Sequence, residues 1–182
     1  EAEFVKRETQ YWSKIAKANI KSGKMQAWSL WKKVGVIGDS ETKPNYLFVN
    51  DFKSVADFDT MESGWADPEK VLANMKLSSM ETNSISKVLF TYIMKTEAQI
   101  EGTPKFVVIN YTKPTDVQAF VEENTNLWKP FFENEQKKGF KLNGWGLQTV
   151  VYPQGSNVDF SALTWDGFTK LSEALDHIQR SE

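Results

Sequence analysis

Two stretches of this chain carry the same arrangement of tryptophan, glycine and leucine, and this internal repeat constrains the fold more than any other feature. The first reads W-x10-G-x4-W-x-L from Trp12, and the second reads W-x10-G-x5-W-x-L from Trp128, at a period of about 116 residues. Both halves show the pattern of an amphipathic helix, a glycine that ends it, a long strand, a polar loop, a short strand and a short helix. A period of this length predicts two copies of a small domain rather than a solenoid.

The first half is predicted to begin with a helix that Gly23 ends, followed by strands over KMQAWSLWKKVGVI and YLFVNDF with the loop GDSETKPN between them. A short helix is expected from about Ser54 to Met61. Asp67 suits the N-cap and Pro68 the first position of a further helix, DPEKVLANMKLSSM. The stretch SKVLFTYIMKTEAQI is ambiguous, but its β-branched and aromatic residues favour a strand.

The second half contains the clearest strand, KFVVINYT. Thr115 and Gln118 then form a capping-box pattern that opens a helix. Pro130 lies inside the helical pattern, where it either kinks or divides the helix, and Gly139 is expected to end it. The remaining stretches FKLNGWGLQTVVY, DFSALTW and DGFTKLSEALDHIQ are predicted as strand, strand and helix.

A unit of strand, helix, strand, strand, helix and strand is the ferredoxin-like arrangement, an antiparallel sheet with both helices on one face. The repeats are placed at residues 1–101 and 102–182. The first repeat lacks an opening strand and the second lacks a closing strand, so either the ends are trimmed or the copies share strands.

The helix-glycine-strand element LWKPFFENEQKKGFKLNGWGL and its weaker copy YWSKIAKANIKSGKMQAWSL resemble the dimeric α/β-barrel superfamily. This resemblance implies an α+β fold in which tandem ferredoxin-like repeats form a pseudo-dimeric α/β barrel with antiparallel sheets. The superfamily includes monooxygenases, isomerase-like enzymes and proteins without known activity. The fold alone therefore does not select a function.

The resemblance also implies one candidate catalytic set. Haem-degrading members of the superfamily are similar to the second half in having an asparagine on the first strand, a tryptophan at the end of the third and a histidine on the next helix. Here these are Asn110, Trp165 and His177. They would supply an amide donor, a bulky wall and an axial imidazole to a haem. The alternative is that His177, a lone histidine on a terminal helix, simply faces solvent.

The aromatic content suggests a pocket. Seven tryptophans in 182 residues either line an apolar pocket for a small apolar or aromatic molecule or fill the core. The candidate ligand-binding residues are Trp128, Trp145, Phe131 and Tyr111. Gly144 and Gly146 suggest a phosphate loop, but the first copy has Ala27 and Ser29 at the matching positions. Small residues thus suffice there, which indicates low bulk beside a packed tryptophan.

Composition argues against several classes of function. The 22 basic and 24 acidic residues nearly cancel, so nucleic acid is not an expected partner. There is no cysteine and no metal-ligand spacing, which predicts no metal site and no resident cofactor, with haem as the alternative. The longest apolar run is too short to span a membrane.

Three functions remain open at this point. The first is small-molecule binding in the second repeat, and the second is a cofactor-independent or haem-linked monooxygenase. The third is a structural or assembly module without catalysis. The duplication is compatible with a monomeric pseudo-dimer and with a homodimer.

Overall fold

The computed structural model describes residues 1–34, 44–60, 66–73 and 75–180. It is a mixed α+β structure with two antiparallel sheets, one of two strands and one of four. Neither sheet closes into a barrel within the described ranges. The chain divides into two compact units, Glu1–Phe90 and Thr91–Glu182. The boundary after residue 101 was placed between two sequence repeats rather than between two compact units, and it stays a prediction.

The first unit begins with a continuous helical stretch, as predicted. Its segments are α1 (Ala2–Arg7), a π-helical segment (Glu8–Trp12) and α2 (Ser13–Lys21). Its buried apolar residues are Phe4, Ile15 and Ala16. Gly23 ends the stretch with a φ of +77°, and the amide of Lys24 donates to the carbonyl of Asn19. This Schellman-type cap requires a residue that tolerates positive φ, which explains the glycine.

The strands of the first unit form an antiparallel hairpin of β1 (Ala27–Lys32) and β2 (Tyr46–Asp51). Phe4 packs on β2, with its ring centroid 4.9 Å from that of Tyr46. The end of the predicted first strand and most of the predicted polar loop lie outside the described residues.

Short helical turns follow the hairpin: a 3-10 turn (Val55–Thr60), α3 (Pro68–Val71) and a 3-10 turn (Leu77–Ser79). Asp67 caps α3 as predicted, because its side chain accepts a hydrogen bond from the amide of Glu69 at 3.0 Å. The longer helix predicted over residues 67–80 is wrong. The observed helix α3 ends after one turn, and Ala73 takes a φ of +44° that an α-helix does not accommodate.

Glu8 is a buried carboxyl group at the start of the π segment, only 4% exposed. Desolvation raises its pKa above 4.5, and a hydrogen bond with Thr82 opposes part of that rise. Folding therefore favours the protonated form of Glu8. Its contribution to stability is present below the unfolded-state pKa and is lost as the pH rises through the folded-state pKa.

Replacing Glu8 with Gln is expected to stabilise the first unit at neutral pH, because an amide carries no charge to desolvate. Denaturant unfolding from about pH 4 to about pH 8 should show wild-type stability falling relative to the variant. Glu3→Gln is the matched control on exposed α1, since a hydrogen bond from Arg7 lowers the pKa of Glu3, and this variant should gain no stability. Parallel pH profiles for wild type and Glu8→Gln would contradict the assignment.

The second unit is a four-stranded antiparallel sheet with helices on one face. Its strands are β3 (Ile93–Ile100), β4 (Phe106–Thr112), β5 (Leu142–Tyr152) and β6 (Ala162–Phe168), in the order β3-β5-β6-β4. Its helical segments are α4 (Val117–Glu123), a π-helical segment (Asn124–Trp128), α5 (Lys129–Lys137) and α6 (Leu171–Arg180). β4 and β5 run parallel on either side of β6, since each pairs antiparallel with it.

The core of this unit lies between the sheet and its helices. Fully or almost fully buried members are Leu142, Trp145, Leu147, Phe168 and Ala174. Side chains packed against them from the strands and helices include Val108, Phe120, Val121, Phe132 and Phe140. The space between β4 and the helices that follow it is thus occupied by close-packed apolar side chains.

Two details of the predicted second half need correction, the N-cap of its first helix and the start of its last helix, while Pro130 adjoins a change of helix type as a dividing residue would. The N-cap of α4 is Asp116 rather than Thr115, because Asp116 Oδ1 accepts from the amide of Ala119 at 3.0 Å. The helical stretch changes from π to α at Lys129, which places Pro130 in a first turn, where its missing amide proton costs little. The last helix begins at Leu171 rather than at the DGF sequence, since those residues complete β6.

Candidate functional site

Asp166 is the buried acidic side chain around which the candidate site forms, only 3% exposed. Asn110 Nδ2 donates a hydrogen bond to Asp166 Oδ2 at 2.8 Å, and His177 Nε2 lies 3.5 Å from the same oxygen. A longer contact of 3.4 Å joins Asn110 Nδ2 to Thr164 Oγ1. A buried carboxylate is tolerated only when polar partners replace its hydration, and these two side chains do so.

The register between β4 and β6 brings these groups together. Val108 lies opposite Asp166, and Asn110 lies opposite Thr164. Asn110 and Asp166 are therefore diagonal neighbours on the same face of the sheet. α6 packs over β6 and β4 on that face, which brings His177 to the carboxylate.

Trp165 lies on the opposite face of the sheet from Asn110 and His177, because successive strand residues point to opposite sides. Its ring covers two glycines of β5. A Cβ atom on Gly146 would overlap the indole nitrogen, and one on Gly144 would lie 3.2 Å from the ring. The glycines thus provide low bulk beside a packed tryptophan, and that tryptophan is Trp165.

A solvent-open cleft of about 380 Å³ lies between the end of α5 and α6. His177 lines it together with Phe140 and Phe168, whose ring centroids are 6.0 Å and 5.2 Å from the imidazole. This volume is within the range of small-molecule sites. The charged residues at the rim are Glu135, Lys138, Lys141, Glu173, Asp176 and Arg180.

The rim of the cleft is electrostatically balanced. Lys138 Nζ lies 2.7 Å from Glu135 Oε1, and Arg180 Nη2 lies 2.8 Å from Asp176 Oδ2. Glu173 accepts from the amide of Lys170 at 3.0 Å, so its charge is engaged at the start of α6. The rim therefore selects no single sign of charge, and the histidine and the two phenylalanine rings distinguish the cleft chemically.

The structure separates the aromatic residues that the sequence suggested as ligand contacts. Trp145 is 1% exposed within the core, whereas Trp128 and Phe131 are 40% and 46% exposed on the helical surface. The ring of Phe132 lies between the buried and the exposed tryptophan. Its centroid is 6.1 Å from that of Trp128 and 5.9 Å from that of Trp145. Trp128 Nε1 also donates to Glu123 Oε1 at 3.0 Å. None of these four aromatic side chains is among the described residues that line the cleft.

Tyr111, the remaining predicted ligand residue, lies on the same face as Trp165 because it follows Asn110 along β4. Its ring centroid is 4.6 Å from that of Phe160, which is in turn 4.6 Å from that of Tyr92. Although Tyr111 is 56% exposed, desolvation raises the pKa of its hydroxyl, and neighbouring Tyr92 adds to the rise. Tyr111 therefore belongs to an aromatic stack outside the cleft.

Sequence reasoning missed Asp166 and the two phenylalanines of the cleft. The sequence pattern gave Asp166 no role in a site. Its signal was an acidic residue two positions before Phe168, on the side of β6 that strand alternation directs to the core. Phe140 and Phe168 carry no signal of their own, because apolar aromatics adjoining strands are ordinary core residues.

The three residues of the haem-like set do not converge. Asn110 and His177 meet on Asp166, but Trp165 lies across the sheet from them, so the three cannot contact one porphyrin and the arrangement does not fit haem. Within the described ranges, no group of three or more histidine, aspartate or glutamate side chains is placed to hold a metal ion. None of the helices that the structure describes has the length and apolar character needed to cross a bilayer.

Comparisons with protein-family models, curated proteins and solved structures found no match to this chain. The site is therefore interpreted from its own geometry.

Gly146→Ala is expected to destabilise the second unit by about 1–3 kcal/mol, because the added methyl group overlaps the Trp165 ring. Denaturant unfolding measures the loss. The same substitution in a Trp165→Leu background should cost much less, since the smaller side chain leaves room for the methyl group. Equal costs in the two backgrounds would show that the indole is not what excludes a side chain at Gly146.

Proposed function

We propose that the second unit binds a small planar organic molecule in the cleft between α5 and α6. The observation that carries this proposal is the placement of His177, which lines the cleft beside two phenylalanine rings and has buried Asp166 behind it. A histidine oriented by a carboxylate presents its ring in one defined direction, which suits a specific contact with a ligand.

The chemistry of the cleft favours an aromatic or otherwise flat molecule with at least one polar group. Phe140 and Phe168 offer ring surfaces for stacking or edge contacts. His177 lines the cleft beside these rings, and its imidazole is the polar aromatic group that we assign to the ligand contact. Asp166 acts in this scheme as a positioning residue, because it reaches the ligand only through the histidine.

The ligand class is the one favoured by the sequence, a small apolar or aromatic molecule, but the proposed contacts differ. Among the described residues that line the cleft, the aromatic hydrocarbon rings belong to phenylalanines rather than tryptophans. The proposed cleft differs from the expected tryptophan-rich pocket in that one histidine supplies the polar contact.

The fold proposed for the whole chain is a tandem of ferredoxin-like units from the dimeric α/β-barrel superfamily. Two coincidences support it. The π segments Glu8–Trp12 and Asn124–Trp128 begin 116 residues apart, and the cap glycines Gly23 and Gly139, both with positive φ, are separated by the same interval. π-helical segments are rare, so their recurrence at one repeat position favours duplication. The order β4, helix, β5, β6, α6 also matches five elements of the ferredoxin-like unit.

The other two functions stay predictions. A cofactor-independent monooxygenase would need a site that orients its substrate, and the His177 cleft is the candidate location for it. A structural or assembly module would need an interaction surface instead.

His177 is the only histidine of the chain, so its ring gives a single assigned NMR signal for testing the site. A panel of aromatic acids and phenols is titrated against the full chain while the imidazole C–H resonance is followed. At least one member is expected to produce a saturable shift. Phe140→Ala should weaken that binding about tenfold or more, because it removes one wall of the cleft.

Phe131→Ala is the matched control, since it removes a phenylalanine ring on the helical surface outside the cleft. This variant should bind as wild type does. A panel that leaves the imidazole resonance unmoved, or binding that depends on Phe131 and not on Phe140, would refute the proposed site.

A further inference from the structure

The first helical stretch of each unit presents the same face, but only one of these faces is covered. In both units the stretch runs through a π segment to a cap glycine, and these features recur 116 residues apart. Residues at that offset therefore lie on the same side of their helices. In the second unit this side carries Leu127, Trp128 and Phe131, which are 58%, 40% and 46% exposed. These three residues are here called the helical patch.

The helical patch is one contiguous apolar surface. The rings of Trp128 and Phe131 meet edge to face with centroids 5.9 Å apart, and Leu127 lies one turn before Phe131. Phe132 supports the patch from below, because its ring centroid is 5.5 Å from that of Phe131 and 5.9 Å from that of Trp145 in the core. Exposed aromatic side chains that are fixed in this way are typical of protein interaction sites.

The first unit shows how such a face is covered. Trp12, Ile15 and Asn19 share one side of the helix at helical spacing. Trp12 Nε1 donates to the carbonyl of Met80 at 2.8 Å, and Asn19 Oδ1 accepts from the amide of Ala66 at 2.8 Å. Ile15 lies between these two contacts and is 0% exposed, as is Met80. Residues 77–82, here called the strap, thus cover this face with a buried methionine and a main-chain carbonyl.

The matching positions of the second unit have the same residue types but no such contacts. Trp12 corresponds to Trp128, and buried Ile15 corresponds to Phe131, which is 46% exposed. Trp128 Nε1 donates to Glu123 Oε1 of its own helical stretch at 3.0 Å instead of to a main-chain carbonyl. The helical patch therefore has the chemistry of a strap-covered face and is open to solvent.

One charged position distinguishes the two faces. In the first unit Arg7 donates to the carbonyl of Glu81 in the strap. The residue at the matching position of the second unit is Glu123, whose ionised carboxylate can only accept. A segment that covers the helical patch therefore needs a donor at this point, and lysine or arginine supplies a charge-assisted hydrogen bond. The strap of a second copy does not suit, because Glu81 would approach Glu123 and Met80 is already buried in its own unit.

We propose that the helical patch docks a short segment of another protein in which a methionine or a similar apolar residue is followed by lysine or arginine. The apolar side chain packs on Trp128 and Phe131, as flexible methionine does on aromatic rings. Its main-chain carbonyl accepts from the Trp128 indole, and the basic side chain binds the Glu123 carboxylate that the indole releases. This surface depends on the equivalence of the two helical stretches and is independent of the His177 cleft.

Two synthetic peptides test the docking surface. One is residues 76–86, KLSSMETNSIS, and the other is the same peptide with Glu81→Arg. Each is titrated against the full chain while the indole N–H resonance of Trp128 is followed by NMR. The arginine peptide is expected to give a saturable shift with a dissociation constant below about 1 mM, and the glutamate peptide to bind at least about fivefold more weakly. No shift with the arginine peptide, or equal binding of the two, overturns the proposal.

Protein variants identify the contacts. Glu123→Arg should reverse the preference between the two peptides, since it restores the charge found in the first unit. Phe131→Ala should weaken binding of the arginine peptide about tenfold or more. Leu175→Ala, which removes an exposed leucine from α6, is the matched control and should bind as wild type does. An unchanged preference in Glu123→Arg, or equal weakening by the two alanine variants, overturns the proposal.

Sedimentation equilibrium of the chain without peptide tests the competing occupant, a second copy. Wild type and Phe131→Ala are expected to give the same mass, because the helical patch serves another protein. A wild-type dimer that Phe131→Ala dissociates would show that a second copy covers the patch and would overturn the proposal.

Discussion

The burial of one carboxylate organises the second unit. Asp166 sits on the face of the sheet that carries the apolar core, and burying a charge without partners would cost several kcal/mol. Its partners come from two directions, Asn110 along the sheet and His177 from α6. The requirement to satisfy Asp166 thus helps to set where α6 lies over β6 and β4, and the position of α6 determines the shape of the cleft. The candidate site is in this sense a consequence of how a buried charge is accommodated.

α6 has three sides, and each has different surroundings. Ala174 and His177 face the sheet, and Asp176 and Arg180 border the cleft. The third side carries Leu171, Leu175 and Ile178, which are exposed. One amphipathic helix therefore borders the cleft on one side and carries exposed apolar side chains on another. The opposite face of the sheet is organised separately, by the packing of Trp165 against Gly144 and Gly146.

Local sequence signals predicted the elements well and the site incompletely. The apolar run of β4, the cap glycines and the Asp67 cap follow from local periodicity and backbone chemistry, which one sequence displays directly. The early end of α3 could not be predicted in this way, because it depends on a backbone conformation at Ala73 that the residue type does not reveal. Asn110 and His177 were found through a resemblance, but Asp166 joins them only through strand register, which sequence periodicity leaves open. Once the register of β4 and β6 is known, strand alternation by itself places Trp165 on the opposite face of the sheet from Asn110.

The central claim is that Asp166 and His177 interact directly, and a double-mutant cycle tests it most directly. The free energy of unfolding of the second unit is measured for wild type, Asp166→Asn, His177→Gln and the double variant, with urea unfolding followed through the amide resonances of β6. Residues in direct polar contact typically show coupling energies of about 0.5–3 kcal/mol. The account predicts a value in that range, with the double variant less destabilised than the sum of the single variants. Additive effects, with a coupling near zero, would contradict it.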